Sequence, residues 1–327
     1  MNPLARRLLL GAGLALAASP VFALWPSDPA MNLVVANGAS EQVQPKVVAT
    51  ADGGVYVSWF DNASGGYDVR LQRFDAKGDE RFAPNGVLVA DRDFSSTQDY
   101  GLAIDTTNHA LLAYRHEVAG VVQVFAAKVS PTGTFLWAAA PGLQVSTGTD
   151  DANSPRITGT SDGHVVVAWS AGNQIRAQKL DGATGAPLWG AGISLNPTSG
   201  SFLIADLRPA EAGHCIVSFV PNPARHLWAQ KLAAADGAPL WGANPLAVYD
   251  QAGGTLQFGN FPEFLPDGSG GAVFAWYTSS PSLQVRVQRV TAAGAEVFAH
   301  NGVEASTNAA QLRSSPRAEF DDGSGDT

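Results

Sequence analysis

Short apolar segments that end in an aromatic residue recur along the chain at intervals of about 50 to 57 residues. Each is rich in aliphatic residues and is bounded by Gly, Asp or Asn, which is typical of a β-strand between turns. No stretch keeps the 3.6-residue periodicity of an amphipathic helix, so we predict an all-β protein in which helix is nearly absent. The five segments are VYVSW ending at Trp59, ALLAY at Tyr114, VVVAW at Trp169, CIVSF at Phe219 and AVFAW at Trp276.

A strand of alternating character follows each apolar segment, and after it come a turn glycine and a second aromatic residue. In the first copy the alternation places Val69 and Leu71 on one face and Arg70 on the other. The second aromatic lies four residues after the glycine in every copy, and a short strand closes the unit. The glycine–aromatic pairs are Gly78 and Phe82, Gly133 and Trp137, Gly185 and Trp189, Gly237 and Trp241, and Gly294 and Phe298.

The predicted unit also contains an inner strand. Prolines that precede several of the apolar segments mark where this strand starts. Four antiparallel strands repeated about every 50 residues predict the blade of a β-propeller. We therefore predict a β-propeller with five complete four-stranded blades, in which the recurrent aromatics fill the space between neighbouring sheets. A sugar-stacking platform is the alternative for these rings, but their fixed place within apolar strands favours the core. The prolines are Pro45, Pro155, Pro262 and Pro316.

The two ends of the chain predict an incomplete closing blade. Residues 33–36 match the outer strand of a blade, as comparison with residues 87–90 indicates, and the segment from Pro316 resembles an inner strand and its turn. A ring whose N- and C-terminal strands share one blade leaves no open sheet edge. The two middle strands of that blade are missing, so we expect a single propeller domain over residues 24–327 that is truncated at its C-terminus.

The first 23 residues predict an export signal peptide. Arg6 and Arg7 form a positive region, residues 8–18 form an apolar run that is too short to span a bilayer, and Ala23 completes a small-residue cleavage pattern. No later stretch is long and apolar enough to hold the chain in a membrane. We expect a protein that is secreted or periplasmic.

Composition excludes several classes of protein. Hydrophobic residues make up 45% of the 327 positions, which is enough for a folded core and excludes wholesale disorder. The single cysteine excludes a disulfide-stapled scaffold and multi-cysteine metal sites. The net charge of −9 argues against binding to nucleic acid through its phosphates. We expect a monomer.

One turn resembles the tryptophan-docking motif of quinoprotein-like propellers. Asp181, Thr184, Gly185 and Trp189 match the pattern Asp-x-x-Thr-Gly-x-x-x-Trp, which in those proteins joins the last two strands of a blade. The other copies are less complete, and the similarity to sialidase-like propellers is looser. More generally, the chain resembles the repeat proteins of secreted bacterial propellers. The resemblance implies the fold, but the single cysteine excludes the vicinal disulfide of many quinoprotein dehydrogenases, and the arginine cluster of sialidases cannot be placed on particular residues.

Three histidines occupy one repeat position and are candidates for a metal site. His109, His164 and His214 each lie five residues before the strand aromatic. Ligand nitrogens must lie within about 2.1 Å of one ion, whereas equivalent positions on neighbouring sheets are about 10 Å apart. We therefore expect turn residues rather than metal ligands.

Acidic turns leave calcium as the alternative cofactor, although we predict none. Asp150 and Asp151, and the acids within residues 321–326, supply oxygen ligands but do not follow the register of a calcium loop. The second segment aligns with the turn at Asp267, whose Asp-Gly pair is typical turn chemistry. Cys215 lies in an apolar strand, where a buried and inert thiol is expected.

These observations predict a non-enzymatic binding or interaction module, because no catalytic constellation is visible. The chain contains no Gly-x-Ser-x-Gly motif, and no glycine-rich phosphate loop opens a helix. We assign no catalytic, cofactor-binding or metal-binding residue, and we expect a protein or glycan ligand. A sialidase-like carbohydrate-active enzyme and a quinoprotein-like oxidoreductase are the alternatives. The side chains that line the central channel discriminate between them, and two acids about 5–9 Å apart would favour glycoside hydrolysis.

Overall fold

The computed structural model describes residues 30, 32–93, 100–195, 200–257, 259, 261–305, 308 and 311–318. These residues form five antiparallel sheets, one for each copy of the repeat, and strands that follow each other in the chain lie side by side. Helix within the described residues is limited to a 3₁₀ turn at Glu211–Gly213. The all-β prediction and the four-stranded unit are therefore confirmed. The predicted signal peptide, residues 1–23, lies outside the described residues.

The first two strands of each sheet form a hairpin whose second strand is apolar on both faces. We number the sheets 1 to 5 in chain order. The innermost strands are β1 (Gln42–Ala49), β5 (Gly101–Ile104), β9 (Ala152–Gly159) and β13 (Ser201–Pro209), and in sheet 5 the pair β17 (Thr255–Leu256) and β18 (Phe264–Pro266). The second strands are β2 (Val55–Asp61), β6 (Ala110–Val118), β10 (Val165–Ala171), β14 (Cys215–Asn222) and β19 (Ala272–Ser280).

The third and outermost strands complete each sheet. The outermost strands are short, as expected for strands that lie at a sheet edge. The third strands are β3 (Asp68–Phe74), β7 (Val121–Val129), β11 (Gln174–Leu180), β15 (Leu227–Leu232) and β20 (Val285–Val290). The outermost strands are β4 (Val87–Ala90), β8 (Leu143–Gln144), β12 (Ile193–Leu195), β16 (Leu246–Tyr249) and β21 (Val303–Glu304).

The recurrent aromatics lie between sheets, as predicted. The aromatic that ends each second strand is buried in all five sheets. The indole Nε1 of Trp189 donates a hydrogen bond of 3.1 Å to the carbonyl oxygen of Ala234 in the next sheet. Trp241 makes the same bond to Ala292 at 3.1 Å. These rings are core residues that join one sheet to the next, and they do not form a sugar-stacking platform.

Phe298 departs from this pattern, since 40% of its surface is exposed. It belongs to sheet 5, beyond which the described residues contain no further complete sheet. Without such a sheet the ring has nothing to pack against. The predicted filling of every gap by the second aromatic therefore holds for sheets with a described neighbour and fails at sheet 5.

Residues 33–36 pack against sheet 1 without forming a regular strand. Leu33 and Val35 are half-buried against a cluster that contains Trp59 and Phe74. The backbone N–H of Asn37 donates a 2.8 Å hydrogen bond to Oδ1 of Asn85. The same bond joins the residue after β16, Asp250, to Asn301 of the next sheet at 2.7 Å. Residues 33–36 therefore contact sheet 1 in the same way as the outermost strand β16 contacts the next sheet, sheet 5.

Candidate functional site

The innermost strands of successive sheets pack side by side around a common axis. Strand β5 contacts both β1 and β9, and β13 contacts both β9 and β18. A cavity of ≈ 280 Å³ runs along these strands. An adjoining cavity of ≈ 290 Å³ is lined by residues of β1, β9 and sheet 5 and by residues 315–317. Concave sites where several elements converge are the usual position of a ligand.

A break in the innermost strand places a charged side chain at this axis in four of the sheets. The register of β1 shifts just before Lys46, that of β9 between Asn153 and Arg156, and that of β13 just before Asp206. In sheet 5 the strand is split into β17 and β18, and Glu263 lies immediately before β18. A bulge redirects the side chain that follows it, which explains why these positions face the cavity.

Two carboxylates beside the cavity share one guanidinium group. Nε of Arg208 lies 2.7 Å from Oδ2 of Asp206, and its Nη2 lies 3.7 Å from Oε2 of Glu263. Burial alone would lower the pKa of Arg208, but the charge and hydrogen bond of Asp206, helped by Glu263, raise it. Arg208 is therefore a permanent cation that holds both acids within the reach of one side chain.

The two carboxylates differ in access to the cavity. The Asp206 side chain is only 8% exposed and also accepts backbone hydrogen bonds from Leu207 at 2.9 Å and Phe264 at 3.2 Å. The Glu263 side chain is 58% exposed and lines both cavities. Asp206 thus orients the groups around it, whereas Glu263 is accessible to a molecule in the cavity.

Further cations line the same cavities as Glu263. Nη1 of Arg317 lies 3.5 Å from the Glu263 carboxylate. Nε of Arg156 donates to the carbonyl oxygen of Ala205 at 3.2 Å. Nζ of Lys46 lies 5.3 Å from the centre of the Tyr100 ring. We refer to Lys46, Arg156, Asp206, Arg208, Glu263 and Arg317 together as the axial cluster.

A separate set of ion pairs lies within the individual sheets, and two of its lysines also bond to the next sheet. In every sheet a cation near the end of the third strand pairs with an acid in the turn between the first two strands. Nζ of Lys179 also donates to the carbonyl of Ala234 at 3.0 Å, and Nζ of Lys231 to that of Gly270 at 2.8 Å, both in the next sheet. These groups serve the fold. The pairs are Arg73–Asp52, Lys128–Asp105, Lys179–Asp162, Lys231–Glu211 and Arg289–Asp267.

The three repeat histidines lie in the turns before the second strands, as predicted. Nδ1 of His164 accepts a hydrogen bond of 3.2 Å from the backbone N–H of Gly182, and Nδ1 of His214 accepts one of 2.8 Å from Ala234. His109 instead contacts the Asp105 carboxylate at 2.9 Å. Each side chain is thus occupied within its own sheet, and the structure does not bring the three together.

The acidic turns and the cysteine are also accounted for locally. Asp151 accepts a hydrogen bond of 2.8 Å from the backbone N–H of Val122, and Asp267 accepts two from its own turn. Residues 321–326 lie outside the described residues, so the prediction of no cofactor, with calcium as the alternative, stays untested. Cys215 is buried, and burial raises the pKa of its thiol to about 12, in agreement with the predicted inert thiol.

Sequence reasoning missed the axial cluster because its members come from different repeats. Members from different sheets are separated by tens of residues in the sequence, so no local motif contains residues from two sheets. A signal was nevertheless present, since a charged residue directly follows each proline that marks an inner strand. These residues are Lys46, Arg156, Glu263 and Arg317.

Comparison with known proteins gives a likeness of fold. The sequence matches no protein-family profile, and no curated protein is significantly similar to it. A polysaccharide lyase, an ulvan lyase solved with -[GlcA(1-4)Rha3S]-, superposes with a TM-score of 0.50 at 11% identity, over 77% of this chain and 65% of the lyase. The chain therefore spans less than two thirds of that enzyme.

Two glycan-cleaving enzymes are more distant neighbours. An exo-β-1,3-galactanase from Phanerochaete chrysosporium has a TM-score of 0.44 at 12% identity, over 82% of this chain and 68% of the enzyme. An endo-arabinase from Bacteroides thetaiotaomicron has a TM-score of 0.42 at 12% identity, over 75% of this chain and 93% of the enzyme. The comparison supports the predicted propeller-like fold. It does not support the more specific resemblance to quinoproteins or sialidases, because none of the three is a member of either class.

The prediction of a non-enzymatic binding module, with no enzymatic activity, is wrong by this comparison. The polysaccharide lyase that shares the fold of this chain is a carbohydrate-active enzyme. The prediction depended on the absence of a local catalytic motif. A search for local motifs could not detect the charged groups at the axis, because they come from separate sheets.

Proposed function

We propose that this protein is a glycan-cleaving enzyme whose active site is the axial cluster. The observation that carries the proposal is the pair of carboxylates, Asp206 and Glu263, that contact one guanidinium group beside a cavity. In enzymes that cleave glycosidic bonds, a carboxyl group beside the scissile bond transfers a proton. The fold shared with a polysaccharide lyase supports the same class of substrate.

Glu263 is the proton-transfer group in this proposal. It is the more exposed carboxylate of the cluster, and a proton donor or acceptor must come within hydrogen-bond distance of the reacting atom. Asp206 is a positioning residue, because its oxygens are occupied by Arg208 and by two backbone N–H groups. It fixes the guanidinium group that in turn contacts Glu263.

If the sheets close into a ring, the closing blade would form the remaining wall of the axial cavities. In this proposal, residues 33–36 and the segment that contains Arg317 belong to one closing blade between sheets 5 and 1. The bond from Asn37 to Asn85 and the contact of Arg317 with Glu263 support this placement. The predicted export signal would deliver such an enzyme to polysaccharides outside the cytoplasm.

The test is turnover of polysaccharides by the full chain and by Glu263→Gln. Release of new reducing ends measures cleavage, and ultraviolet absorbance of an unsaturated product separates elimination from hydrolysis. Loss of the proton-transfer group is expected to lower the rate by about 10²- to 10⁴-fold.

Glu304→Gln is the matched control for this experiment. Glu304 is also an exposed glutamate of sheet 5 that pairs with an arginine, Arg286 at 3.3 Å, but it lies on the outermost strand β21. We expect this variant to keep full activity. The proposal is rejected if neutral and acidic polysaccharides both stay uncleaved, or if the two variants lose activity equally.

A further inference from the structure

We infer that a cleft between sheets 2 and 3 binds one sugar unit of a glycan through neighbouring hydroxyl groups of that sugar. The cleft has a volume of ≈ 190 Å³ and shares no lining residue with the two axial cavities. Its walls are the segment that leads from β8 to β9 and residues of β10 and β11. It is therefore a second site, separate from the axial cluster.

The cleft lies where one turn of sheet 3 is shorter than the equivalent turns of the other sheets. The second aromatic lies five or six positions before the outermost strand in the other four sheets, but Trp189 lies only four positions before Ile193, where β12 starts. The residue before the turn glycine is Asn85 in sheet 1 and Asn301 in sheet 5, but Ala191 in sheet 3. An alanine side chain cannot accept the hydrogen bond that each asparagine receives from the neighbouring segment.

The shorter turn leaves an arginine of sheet 3 uncovered. Three sheets contain the same cross-strand pair of a tryptophan on the second strand and an arginine on the third. Nη1 of Arg70 donates to the carbonyl of Asn85 at 3.4 Å, and Nη1 of Arg286 donates to that of Asn301 at 3.2 Å. Within the described residues, Arg176 makes no hydrogen bond or ion pair, and it lines the cleft instead. The cross-strand pairs are Trp59–Arg70, Trp169–Arg176 and Trp276–Arg286.

The tryptophan of this pair is also less covered in sheet 3. A Cβ added at Gly86 would lie 3.0 Å from Cη2 of Trp59, whereas the atoms nearest to a Cβ added at Gly192 belong to β11 and not to Trp169. Trp169 is accordingly 7% exposed, against 2% for Trp59. Only a small part of the ring reaches the cleft, so Trp169 remains a core residue that supplies an apolar wall.

Asp150 and Arg176 give the cleft one group that accepts hydrogen bonds and one that donates them. Asp150 is exposed and lines the cleft, and among the described residues it too has no hydrogen-bond or ion-pair partner. A carboxylate only accepts and a guanidinium only donates, so together they suit a ligand whose neighbouring groups do both, as adjacent hydroxyls of a sugar do. A simple anion would be repelled by Asp150, and a simple cation by Arg176. The C–H groups of a sugar ring can lie against Trp169.

The size of the cleft limits the ligand to a single sugar unit, because its volume is below the range of about 300–1,000 Å³ found for pockets that hold drug-sized molecules. The amides of a peptide also donate and accept, so the choice of a sugar rests on the proposed function. An enzyme that cleaves a glycan at the axial cluster gains from a second contact with the same polymer, because the tethered chain meets the active site at a raised effective concentration.

Nuclear magnetic resonance of the Trp169 indole N–H tests the inference in Glu263→Gln, so that no probe is cleaved. The signal is assigned by its loss in Trp169→Phe. The probes are triglycine and the methyl glycosides of glucose, galactose, arabinose and rhamnose, each compared with its per-O-methyl ether. We expect at least one glycoside to shift the Trp169 signal, whereas its ether, which lacks hydroxyl groups, leaves the signal in place. The indole of Trp241, which is bonded to Ala292, is the internal control and should not respond.

Three results of this titration would overturn the inference. The first is that no glycoside moves the Trp169 signal at its solubility limit. The second is that the ethers bind as well as the glycosides, which would exclude recognition of hydroxyl groups. The third is that triglycine alone moves the signal, which would assign the cleft to a peptide.

Substitutions at the two charged groups localise the binding. Arg176→Gln and Asp150→Asn are each expected to weaken the affinity for the bound glycoside by about tenfold, because each removes a hydrogen bond to a charged group. Arg70→Gln is the matched control, since Arg70 occupies the same repeat position in sheet 1 but is bonded to Asn85, and it should leave the affinity unchanged. An unchanged Trp241 signal shows that each variant is folded. Equal losses in all three variants would contradict binding at the cleft.

Binding at the cleft and cleavage at the axial cluster fail separately in this design. If a glycoside binds and Arg176 is required, but the unsubstituted chain cleaves no polysaccharide, the sugar site stands and the proposed enzyme function falls. If polysaccharides are cleaved but no glycoside moves the Trp169 signal, the enzyme function stands and the second site is wrong.

Discussion

At the scale of single residues, the ion pair of Asp105 and Lys128 shows how a buried charge is tolerated. The two side chains are 4% and 7% exposed, and Nζ lies 2.8 Å from Oδ2. Lys128 also donates to the carbonyl of Gly182 in the next sheet at 2.6 Å. Burial opposes ionisation of Asp105, but hydrogen bonds from Lys128, His109 and Thr107 outweigh it and lower its pKa.

We expect Asp105→Asn to lower the free energy of unfolding by about 3–5 kcal/mol near neutral pH, because Lys128 is left as a buried cation without its anion. Folding lowers the pKa of Asp105 below its unfolded value of about 3.9. The ionised pair therefore stabilises the fold above about pH 4, and this contribution is lost as the pH falls through the folded-state pKa.

Urea unfolding at neutral pH and at about pH 3 measures the effect, and the difference from the unsubstituted chain should shrink at the lower pH. Asp79→Asn is the control, since Asp79 lies exposed in an outer turn of sheet 1. An equal cost for both variants would show that the buried pair contributes nothing specific.

At the scale of the element, the turn that leads to Trp241 needs a glycine for two reasons. Gly237 has a φ of +75°, a left-handed conformation that residues with a Cβ atom rarely adopt. A Cβ there would lie 2.6 Å from Ile193 and 3.0 Å from the ring of Trp189. The sequence carried this signal, since the spacing of four residues from glycine to aromatic recurs in every copy.

Gly237→Ala is expected to lower the free energy of unfolding by the backbone term of about 1–2 kcal/mol and by a further 1–3 kcal/mol, roughly, for the clash with Trp189. Gly253→Ala isolates the backbone term, because Gly253 has a φ of +72° and a Cβ added there would meet no atom within 4 Å. Denaturant unfolding of the two variants gives the clash as their difference, and equal losses would contradict the close packing of the turn on the tryptophan.

Repetition explains why the elements could be predicted and the site could not. The strands and the recurrent aromatics follow from the local hydrophobic pattern and turn chemistry, and the same pattern recurs in each repeat. The strand breaks before Lys46 and Arg156 depend on pairing with β2 and β10, and the sequence alone does not show that pairing. The contact between Arg208 and Glu263 depends further on how two sheets pack, which no single repeat encodes.

At the scale of the whole molecule, residues 33–36 connect the start of the described chain to the apolar side chains of sheet 1. Val35 is half-buried against sheet 1, whereas Val34 is 57% exposed. This alternation is the pattern of a strand with one face on a core.

We expect Val35→Asp to lower the free energy of unfolding by about 1–3 kcal/mol, because a carboxylate would lie against apolar side chains. Val34→Asp should change it by less than about 0.5 kcal/mol, as is usual for an exposed position. Thermal unfolding of both variants checks the prediction. Equal and small shifts would mean that residues 33–36 are not held on sheet 1 in solution.

The strand breaks before Lys46, Arg156 and Glu263 have a consequence for how such a protein can diversify. The side chain that follows each break is attached to backbone outside the regular ladder, so exchanging it disturbs the sheet little. Under the proposed function, exchanging Lys46 for an acid would change which sugars bind while the sheets keep their packing.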